Sequence, residues 1–191
     1  MNTSFLFLAD GFEEIEALSV IDIMRRAGMK VTTVSVSESA TVTGAHGIQV
    51  VADTLLPDTD CSVAEWLILP GGMPGAVNLA GCSKLCELLK SQHANGGKVA
   101  AICASPAVVL APLGILNGKE ATCYPGFEKE LKNSTISENS VAVDGNVITA
   151  NGPATATLFA LAIVANSLGE EASRSVAEGM LLYNAPQEFY F

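Results

Sequence analysis

The stretch KVAAICASPAVVLA, residues 98–111, places a single cysteine, Cys103, between an apolar run and a segment that contains proline. Residues 98–103 are typical of a buried strand, and Ser105-Pro106 is a typical helix start. Proteins with an open parallel sheet bind their ligands beyond the carboxyl ends of the strands, and Cys103 would lie at such an end. A helix start also favours the thiolate over the thiol. The pattern therefore predicts a nucleophilic cysteine on a strand-to-helix turn.

Small residues surround this cysteine, as a nucleophile on a tight turn requires. Ala101 and Ser105 occupy the two positions that the glycines hold in a nucleophile elbow of the G-x-S-x-G type. The alternative is a structural thiol in the core, because free cysteine is among the most buried residue types.

The segment LPGGMPGAVNLAG, residues 69–81, follows another predicted strand and carries a glycine pair. Gly71 and Gly72 can present bare backbone towards the same edge of the sheet. The N–H groups of Gly72 and Ala104 would then form an oxyanion-binding pocket. The alternative is that the glycines only make a turn.

Glu16 is an acid on the apolar side of a predicted helix over residues 13–28. It shares that side with Val20, Ile23 and Ala27, whereas Glu14 is expected on the wetter side. Burial would raise the pKa of Glu16 and let it share a proton with a thiolate. The alternative is a favourable charge at the start of a helix.

The two histidines argue against a Cys-His hydrolase, which needs an imidazole near the sulfur. His93 ends a predicted helix that leads into the start of strand 98–103, so we expect it at the opposite edge of the sheet. His46 lies in an extended excursion over residues 41–53 and is not a convincing base for Cys103.

Composition excludes several classes of function. The net charge of −10, from 10 Lys+Arg against 20 Asp+Glu, argues against a nucleic-acid partner, because acidic surfaces repel phosphate. No apolar run reaches the roughly 18 residues of a membrane span, and residues 1–17 lack the basic flank of a signal peptide, so we expect a cytoplasmic protein.

An odd number of cysteines, five, argues against a disulfide framework. Cys82 and Cys86 lack further ligands at metal-binding spacing, so we expect no metal.

Apolar runs alternate with helical patterns along the whole chain. Strands are predicted at 3–9, 29–37, 64–70 and 98–103, helices at 13–28, 83–94 and 152–169, and hairpin turns at Gly44/Gly47 and Asp144-Gly145. This alternation predicts one α/β domain over residues 1–191, with a mostly parallel sheet and helices on both faces.

Six segments together resemble the DJ-1 family of the DJ-1/ThiJ/PfpI superfamily, and its bacterial DJ-1-like (ThiJ-like) members in particular. In chain order they are LADGFEEIEA, MRRAGMKV, LILPGGMPGAVNL, VAAICASPAVVLA, SENSVAVDGNVITANGP and FALAIVANSL. The resemblance implies a flavodoxin-like three-layer sandwich that forms homodimers. It implies that Cys103 is the reactive cysteine on the nucleophile elbow, Glu16 the acid that hydrogen-bonds its sulfur, and Gly72 and Ala104 the backbone donors.

Three positions differ from the family pattern. Tyr124 replaces the histidine of a His-Pro pair, His46 replaces an arginine at the dimer-facing turn, and Asn151 replaces an arginine before Gly152-Pro153. With fewer cations, a pocket lined by these residues together with Gly71 and Pro153 should hold anionic ligands more weakly. The protease branch carries a histidine directly after its cysteine, and Ala104 in this place argues against a peptidase.

The resemblance implies a cofactor-independent glyoxalase or deglycase that acts on small reactive carbonyls such as methylglyoxal. No G-x-G-x-x-G follows a predicted strand, in agreement with a reaction that needs no nicotinamide or flavin. The alternative is a non-catalytic redox sensor or chaperone that uses an oxidisable cysteine of low pKa.

Overall fold

The computed structural model describes residues 2–182 of the 191-residue chain. Its strands are β1 (Ser4–Leu8), β2 (Val31–Ser35), β3 (Thr41–Thr43), β4 (Gln49–Val51), β5 (Thr54–Leu55), β6 (Trp66–Leu69), β7 (Lys98–Ile102), β8 (Glu120–Ala121), β9 (Thr135–Ile136), β10 (Val141–Asp144) and β11 (Val147–Ala150). Its α-helices are α1 (Glu14–Arg26), α2 (Gly75–Ala80), α3 (Ser83–Ala94), α4 (Ala156–Leu168) and α5 (Glu170–Gly179).

Seven strands form the central sheet, in the order β10-β11-β7-β6-β1-β2-β5. Every neighbouring pair is parallel except β10 and β11, which form an antiparallel hairpin. The strands β3 and β4 make a separate two-stranded hairpin, and β8 pairs with β9. The carboxyl ends of β1, β6 and β7 therefore lie side by side at one edge of the sheet.

Both faces of this sheet are covered, because alternate side chains of each strand point to opposite sides. Leu6 and Leu8 belong to a core that also holds residues of α1, α4 and α5. Phe5 and Phe7 belong to a second core, shared with α2, α3 and the segment after β7. The predicted three layers, with a mostly parallel sheet and helices on both faces, are confirmed.

The segment after Cys103 differs from the predicted helix. Only Pro106–Leu110 is helical there, as a single wide turn of the π type. Two further helices were not expected from the sequence: α2, which lies within the glycine-rich stretch, and α5, which follows α4 directly after Gly169.

None of the helices among residues 2–182 combines the length and the apolar character that a membrane crossing requires.

Candidate functional site

Cys103 follows the last residue of β7 and adopts a left-handed backbone conformation with φ of 65°. This conformation costs a non-glycine residue about 1–3 kcal/mol, so surrounding contacts must hold it. The N–H of Cys103 donates to the carbonyl of Ala150 at 2.8 Å, and the carbonyl of Cys103 accepts the N–H of Tyr124 at 2.8 Å. These bonds fix the cysteine on a tight turn at the carboxyl edge of the sheet.

Gly71 and Gly72 bring the end of β6 against this turn. A β-carbon on Gly71 would lie 2.6 Å from Cys103 Cβ and 2.9 Å from Glu16 Oε2, so the position admits no side chain. Gly72 has a φ of 87°, which favours glycine. The backbone N–H groups of Gly72 and Ala104 lie near the Cys103 sulfur and act to lower the pKa of its thiol. The structure thus brings together the four backbone and side-chain positions that the sequence predicted.

Ser105 ties the two strand ends together. Its hydroxyl donates to the carbonyl of Pro70 at 2.5 Å, and both groups are buried. The small residue expected two positions after the cysteine therefore also holds the glycine segment in place, a contact that the sequence did not reveal.

Glu16 is fully buried beside the cysteine, as predicted. Its Oε2 accepts the N–H of Gly71 at 2.7 Å. Its Oε1 is buried without an N–H or O–H partner among the described residues, and the carboxyl faces the Cys103 thiol. Cys103 itself is 8% exposed, so the residue is almost completely buried.

Burial dominates the electrostatics of this pair. It raises the pKa of Glu16 to about 7, against the lowering effect of the Gly71 N–H and the Cys103 thiol. Burial and then the charge of Glu16 raise the pKa of Cys103, and these effects outweigh the two N–H donors that lower it. The expectation of a thiol pKa lowered by a following helix is therefore wrong, because only five residues are helical there and the sulfur is desolvated.

Glu13 positions Glu16. It caps the start of α1, and its Oε2 accepts the N–H of Glu16 at 2.8 Å. Its own N–H donates to the carbonyl of Gly71 at 3.0 Å. This role was not predicted from the sequence, although an acceptor three residues before Glu16 is the spacing of a helix cap.

Glu14 is 4% exposed, so its expected place on the wetter side of α1 is wrong. The turn between β3 and β4 covers it. The two oxygens of Glu14 accept the backbone N–H of His46 at 2.7 Å and contact its ring Nδ1 at 2.8 Å. Burial acts to raise the pKa of Glu14, but the bonds from His46 outweigh it and lower that pKa, while the same contact raises the pKa of His46.

Neither histidine is hydrogen-bonded to Cys103 among the described residues, as the sequence analysis predicted. His46 is bound to Glu14. His93 lies at the amino edge of the sheet, where its Nδ1 is 3.4 Å from the amide nitrogen of Asn146 in the turn before β11.

The backbone N–H of Tyr124 donates to Cys103, and the residue is 45% exposed. A β-carbon on Gly152 would lie 3.4 Å from Tyr124 Cδ2, so the ring covers that glycine. The side-chain oxygen of Asn151 accepts the hydroxyl of Thr155 at 3.0 Å, and Pro153 begins a short helical turn. Tyr124 and the predicted segment around Gly152 are therefore adjacent, but the side chain of Asn151 does not bond Cys103 or Glu16.

The chain is similar to known proteins over most of its length. The model of the DJ-1/PfpI family matches residues 3–166. The chain is 40% identical over 184 residues to Protein DJ-1 homolog B and 39% identical over 192 residues to Protein DJ-1 homolog A, both of Arabidopsis thaliana. These alignments cover 96% and 99% of the chain but only 42% and 49% of the two relatives, so the chain spans about half their length.

Other relatives match over nearly their whole length. The chain is 38% identical over 185 residues to Protein dj-1beta of Drosophila melanogaster, covering 95% of the chain and 98% of the relative. It is 36% identical over 172 residues to the Glutathione-independent glyoxalase DJR-1.2 of Caenorhabditis elegans, covering 89% and 90%. A structure of oxidized DJ-1 from Toxoplasma gondii superposes with a TM-score of 0.90 at 36% identity, covering 95% and 98%. With the family model spanning most of its length and relatives of this similarity, the chain belongs to the DJ-1/PfpI family.

Proposed function

We propose that the chain is a cysteine-dependent enzyme that isomerises small reactive carbonyls, such as methylglyoxal to lactate, without a cofactor. One observation carries the proposal: a fully buried carboxyl with a pKa raised to about 7 faces a cysteine whose charged form two nearby backbone N–H groups favour. This arrangement supplies a nucleophile, a proton carrier and an oxyanion site within one cluster. The name of the Caenorhabditis elegans relative, a glyoxalase, supports the same reaction.

The reaction begins with transfer of the thiol proton to the Glu16 carboxylate. The Cys103 thiolate then adds to the aldehyde carbon, and the new oxyanion accepts the N–H groups of Gly72 and Ala104. Glu16 returns its proton to that oxygen, which gives a hemithioacetal.

Glu16 next removes the proton from the former aldehyde carbon and delivers it to the neighbouring ketone carbon through an enediol, while the hydroxyl proton of the first carbon passes to the former ketone oxygen. The first carbon is oxidised to a thioester and the second is reduced to an alcohol, so no external oxidant is needed. Water then hydrolyses the thioester, which releases lactate and restores the Cys103 thiol.

The charges around the site favour an uncharged substrate. Glu13, Glu14 and Glu16 lie within the first helical turn, and His46 is the one side chain that forms an ion pair with them among the described residues. Anionic carbonyls such as glyoxylate should therefore bind less well than methylglyoxal or glyoxal, because no lysine or arginine in residues 2–182 forms an ion pair with these acids.

Lactate production from methylglyoxal under reducing conditions tests the proposal. Cys103→Ser should remove turnover, and Glu16→Gln should lower it by about 10²–10⁴-fold, as expected for a lost acid–base group. Cys61→Ser is the matched control, because burial also raises the pKa of the Cys61 thiol, to about 11. Wild-type turnover in either site variant would refute the assigned roles.

Redox sensing through Cys103 is the second candidate function. It is favoured by the oxidized structure of the Toxoplasma gondii relative, and the glutamate beside the sulfur could donate a hydrogen bond to an oxidised cysteine once protonated. If sensing is the main role, the reduced wild type should show no lactate production, while peroxide should oxidise Cys103 before the other cysteines. Mass spectrometry after graded peroxide exposure measures that order.

We also propose a cytoplasmic homodimer. All five cysteines are unpaired, which suits a reducing compartment. Exposed apolar side chains occur on α1 (Ile15 and Leu18) and on the neighbouring hairpin segment (Ile48 and Val51). The bond from the N–H of Ile48 to Glu14 at 3.4 Å joins the two elements, so a second copy could cover both.

A further inference from the structure

We propose that Ser105 is a positioning residue that holds the Glu16 carboxyl in place through a single peptide unit. This unit is the amide that joins Pro70 to Gly71. Its carbonyl is bound by the Ser105 hydroxyl and its N–H binds Glu16, so that one carboxyl oxygen stays free to face the Cys103 thiol. The effect of Ser105 on turnover rests on the proposed carbonyl isomerisation, whereas its effect on Glu16 does not.

The hydrogen bonds on the two sides of this amide are both short. The Ser105 hydroxyl donates to the Pro70 carbonyl at 2.5 Å, and the Gly71 N–H donates to Glu16 Oε2 at 2.7 Å. Because a trans peptide unit is planar and its carbonyl and N–H point in opposite directions, the serine and the glutamate lie on opposite sides of it. The three groups therefore form one continuous chain of hydrogen bonds from the turn after β7, through the end of β6, to α1.

This chain of hydrogen bonds is shielded from solvent, since Ser105 and Glu16 are both fully buried. In such surroundings hydrogen bonds in series strengthen one another, because an amide whose carbonyl accepts a bond becomes a better N–H donor. Removing the Ser105 hydroxyl should therefore weaken the bond from Gly71 to the carboxyl, although Ser105 makes no hydrogen bond with Glu16 itself among the described residues.

The free oxygen of Glu16 explains why the position of the carboxyl matters. Oε1 is buried and has no hydrogen-bond partner among the described residues, while the carboxyl faces the Cys103 thiol. Since Oε2 already accepts the Gly71 N–H, Oε1 is the oxygen left to take the thiol proton. Rotation of the carboxyl about its terminal bond would exchange the two oxygens, and the amide held by Ser105 opposes that rotation.

The titratable groups that face Glu16 are Cys103, from the turn after β7, and Glu13, which caps the same helix. Burial raises the pKa of Glu16 to about 7. The Gly71 N–H is the strongest of the effects that lower this pKa, ahead of the Cys103 thiol, and the charge of Glu13 raises it. If the bond from Gly71 is weakened, the pKa of Glu16 should rise further, because the carboxylate loses part of its stabilisation.

Titration of the Glu16 carboxyl carbon, followed by NMR in the full chain without substrate, tests the proposal. The signal is assigned by its absence in Glu16→Gln. Ser105→Ala should move the midpoint to higher pH by up to about one unit, which corresponds to about one hydrogen bond. Ser173→Ala is the matched control, because it removes a serine hydroxyl that donates to the carbonyl of Leu161 at 2.9 Å, and it should leave the midpoint unchanged.

The Gly71 amide proton of the wild type gives a second measurement that needs no variant. Its hydrogen bond becomes stronger when the carboxyl ionises, because bonds to charged acceptors are the stronger ones. We expect its chemical shift to follow the same midpoint as the Glu16 carboxyl. An amide proton that does not titrate with Glu16 would overturn the proposal even if Ser105→Ala failed to fold.

Turnover separates positioning from a general loss of structure. Ser105→Ala should lower kcat for lactate formation by up to about tenfold and leave KM nearly unchanged, because it acts on the proton carrier and not on substrate binding. The proposal is overturned if the Glu16 midpoint in Ser105→Ala moves no further than in Ser173→Ala. If the wild type forms no lactate, the isomerase is refuted, but both NMR measurements still decide the role of Ser105.

Discussion

Burial raises the pKa values of both Glu16 and Cys103. Because the two side chains face each other, ionising both at once would also place two negative charges in contact. The sulfur is therefore expected to ionise only while the carboxyl carries a proton. Two N–H groups, from Gly72 and Ala104, favour the state in which the sulfur is charged. The thiolate therefore forms when Glu16 accepts the thiol proton, and not because of a helix dipole.

The raised pKa of Glu16 makes the stability of the protein depend on pH. The pKa of Glu16 changes from 4.5 in the unfolded chain to about 7 in the folded protein. Its favourable contribution to the free energy of unfolding is therefore complete below pH 4.5 and is lost as the pH rises through 7. Glu16→Gln should therefore gain stability relative to wild type between pH 4.5 and 8, by up to about 3 kcal/mol. Denaturant unfolding at several pH values measures this difference.

Glu87→Gln, which removes an exposed carboxyl from α3, is the matched control for that measurement. The free energy of unfolding of each variant is compared with that of the wild type at each pH. If this difference changes with pH no more for Glu16→Gln than for Glu87→Gln, the Glu16 carboxyl is not held in the protonated form by burial.

Tyr124 occupies the place of the family histidine, and we expect its hydroxyl to matter little. A phenolic hydroxyl can contribute one neutral hydrogen bond to a bound substrate. Tyr124→Phe should cost at most the order of one neutral hydrogen bond, about 0.5–1.5 kcal/mol or up to roughly tenfold in kcat/KM. A thousandfold loss with the fold intact would show that the hydroxyl takes part in the chemistry.

At the scale of elements, the site exists because the ends of β6 and β7 and the start of α1 meet at one edge of the sheet. Gly71 lies against both Cys103 and Glu16, so the position of its backbone sets the distance between these two side chains. A small change there should disturb both groups at once.

Gly71→Ala tests that dependence. Its β-carbon would lie 2.6 Å from Cys103 Cβ, so the turn must move, and we expect a loss of about 1–3 kcal/mol in stability. Displacement of the pair by about 1 Å should also lower turnover by about 10²-fold. Gly179→Ala, where a β-carbon meets no atom within 4 Å, is the control and should leave turnover unchanged. Full activity in Gly71→Ala would show that the close approach is not needed.

At the scale of the whole molecule, the proposed dimer depends on the apolar side chains of α1 and the hairpin. Val51→Glu should shift the mass in solution from dimer towards monomer, because a buried carboxylate without a partner opposes association. Val63→Glu is the matched control, since Val63 is 69% exposed and Val51 is 71% exposed. Light scattering after gel filtration measures both variants, and an equal effect of the two would place the interface elsewhere.

The local sequence was sufficient for the main elements, because apolar periodicity and turn residues act over short distances. It predicted α3 over residues 83–94, the hairpin at Asp144-Gly145 and the position of Cys103 at a strand end. The six-residue helix α2 was missed because its stretch is rich in glycine and proline, which are usually turn signals. The division of the whole chain into one domain stays a prediction.

For the candidate site, the residue types and their spacing predicted Cys103, Glu16, Gly72 and Ala104, since each lies at an element end or on a helix face that the sequence reveals, and their roles stay a prediction. Only the tertiary structure decided the surroundings of Glu14 and the sign of the pKa shift of Cys103. The hairpin of β3 and β4 folds over α1 and brings His46 to Glu14, more than thirty residues away. Desolvation depends on what packs around an atom, and residues distant in the sequence determine that packing.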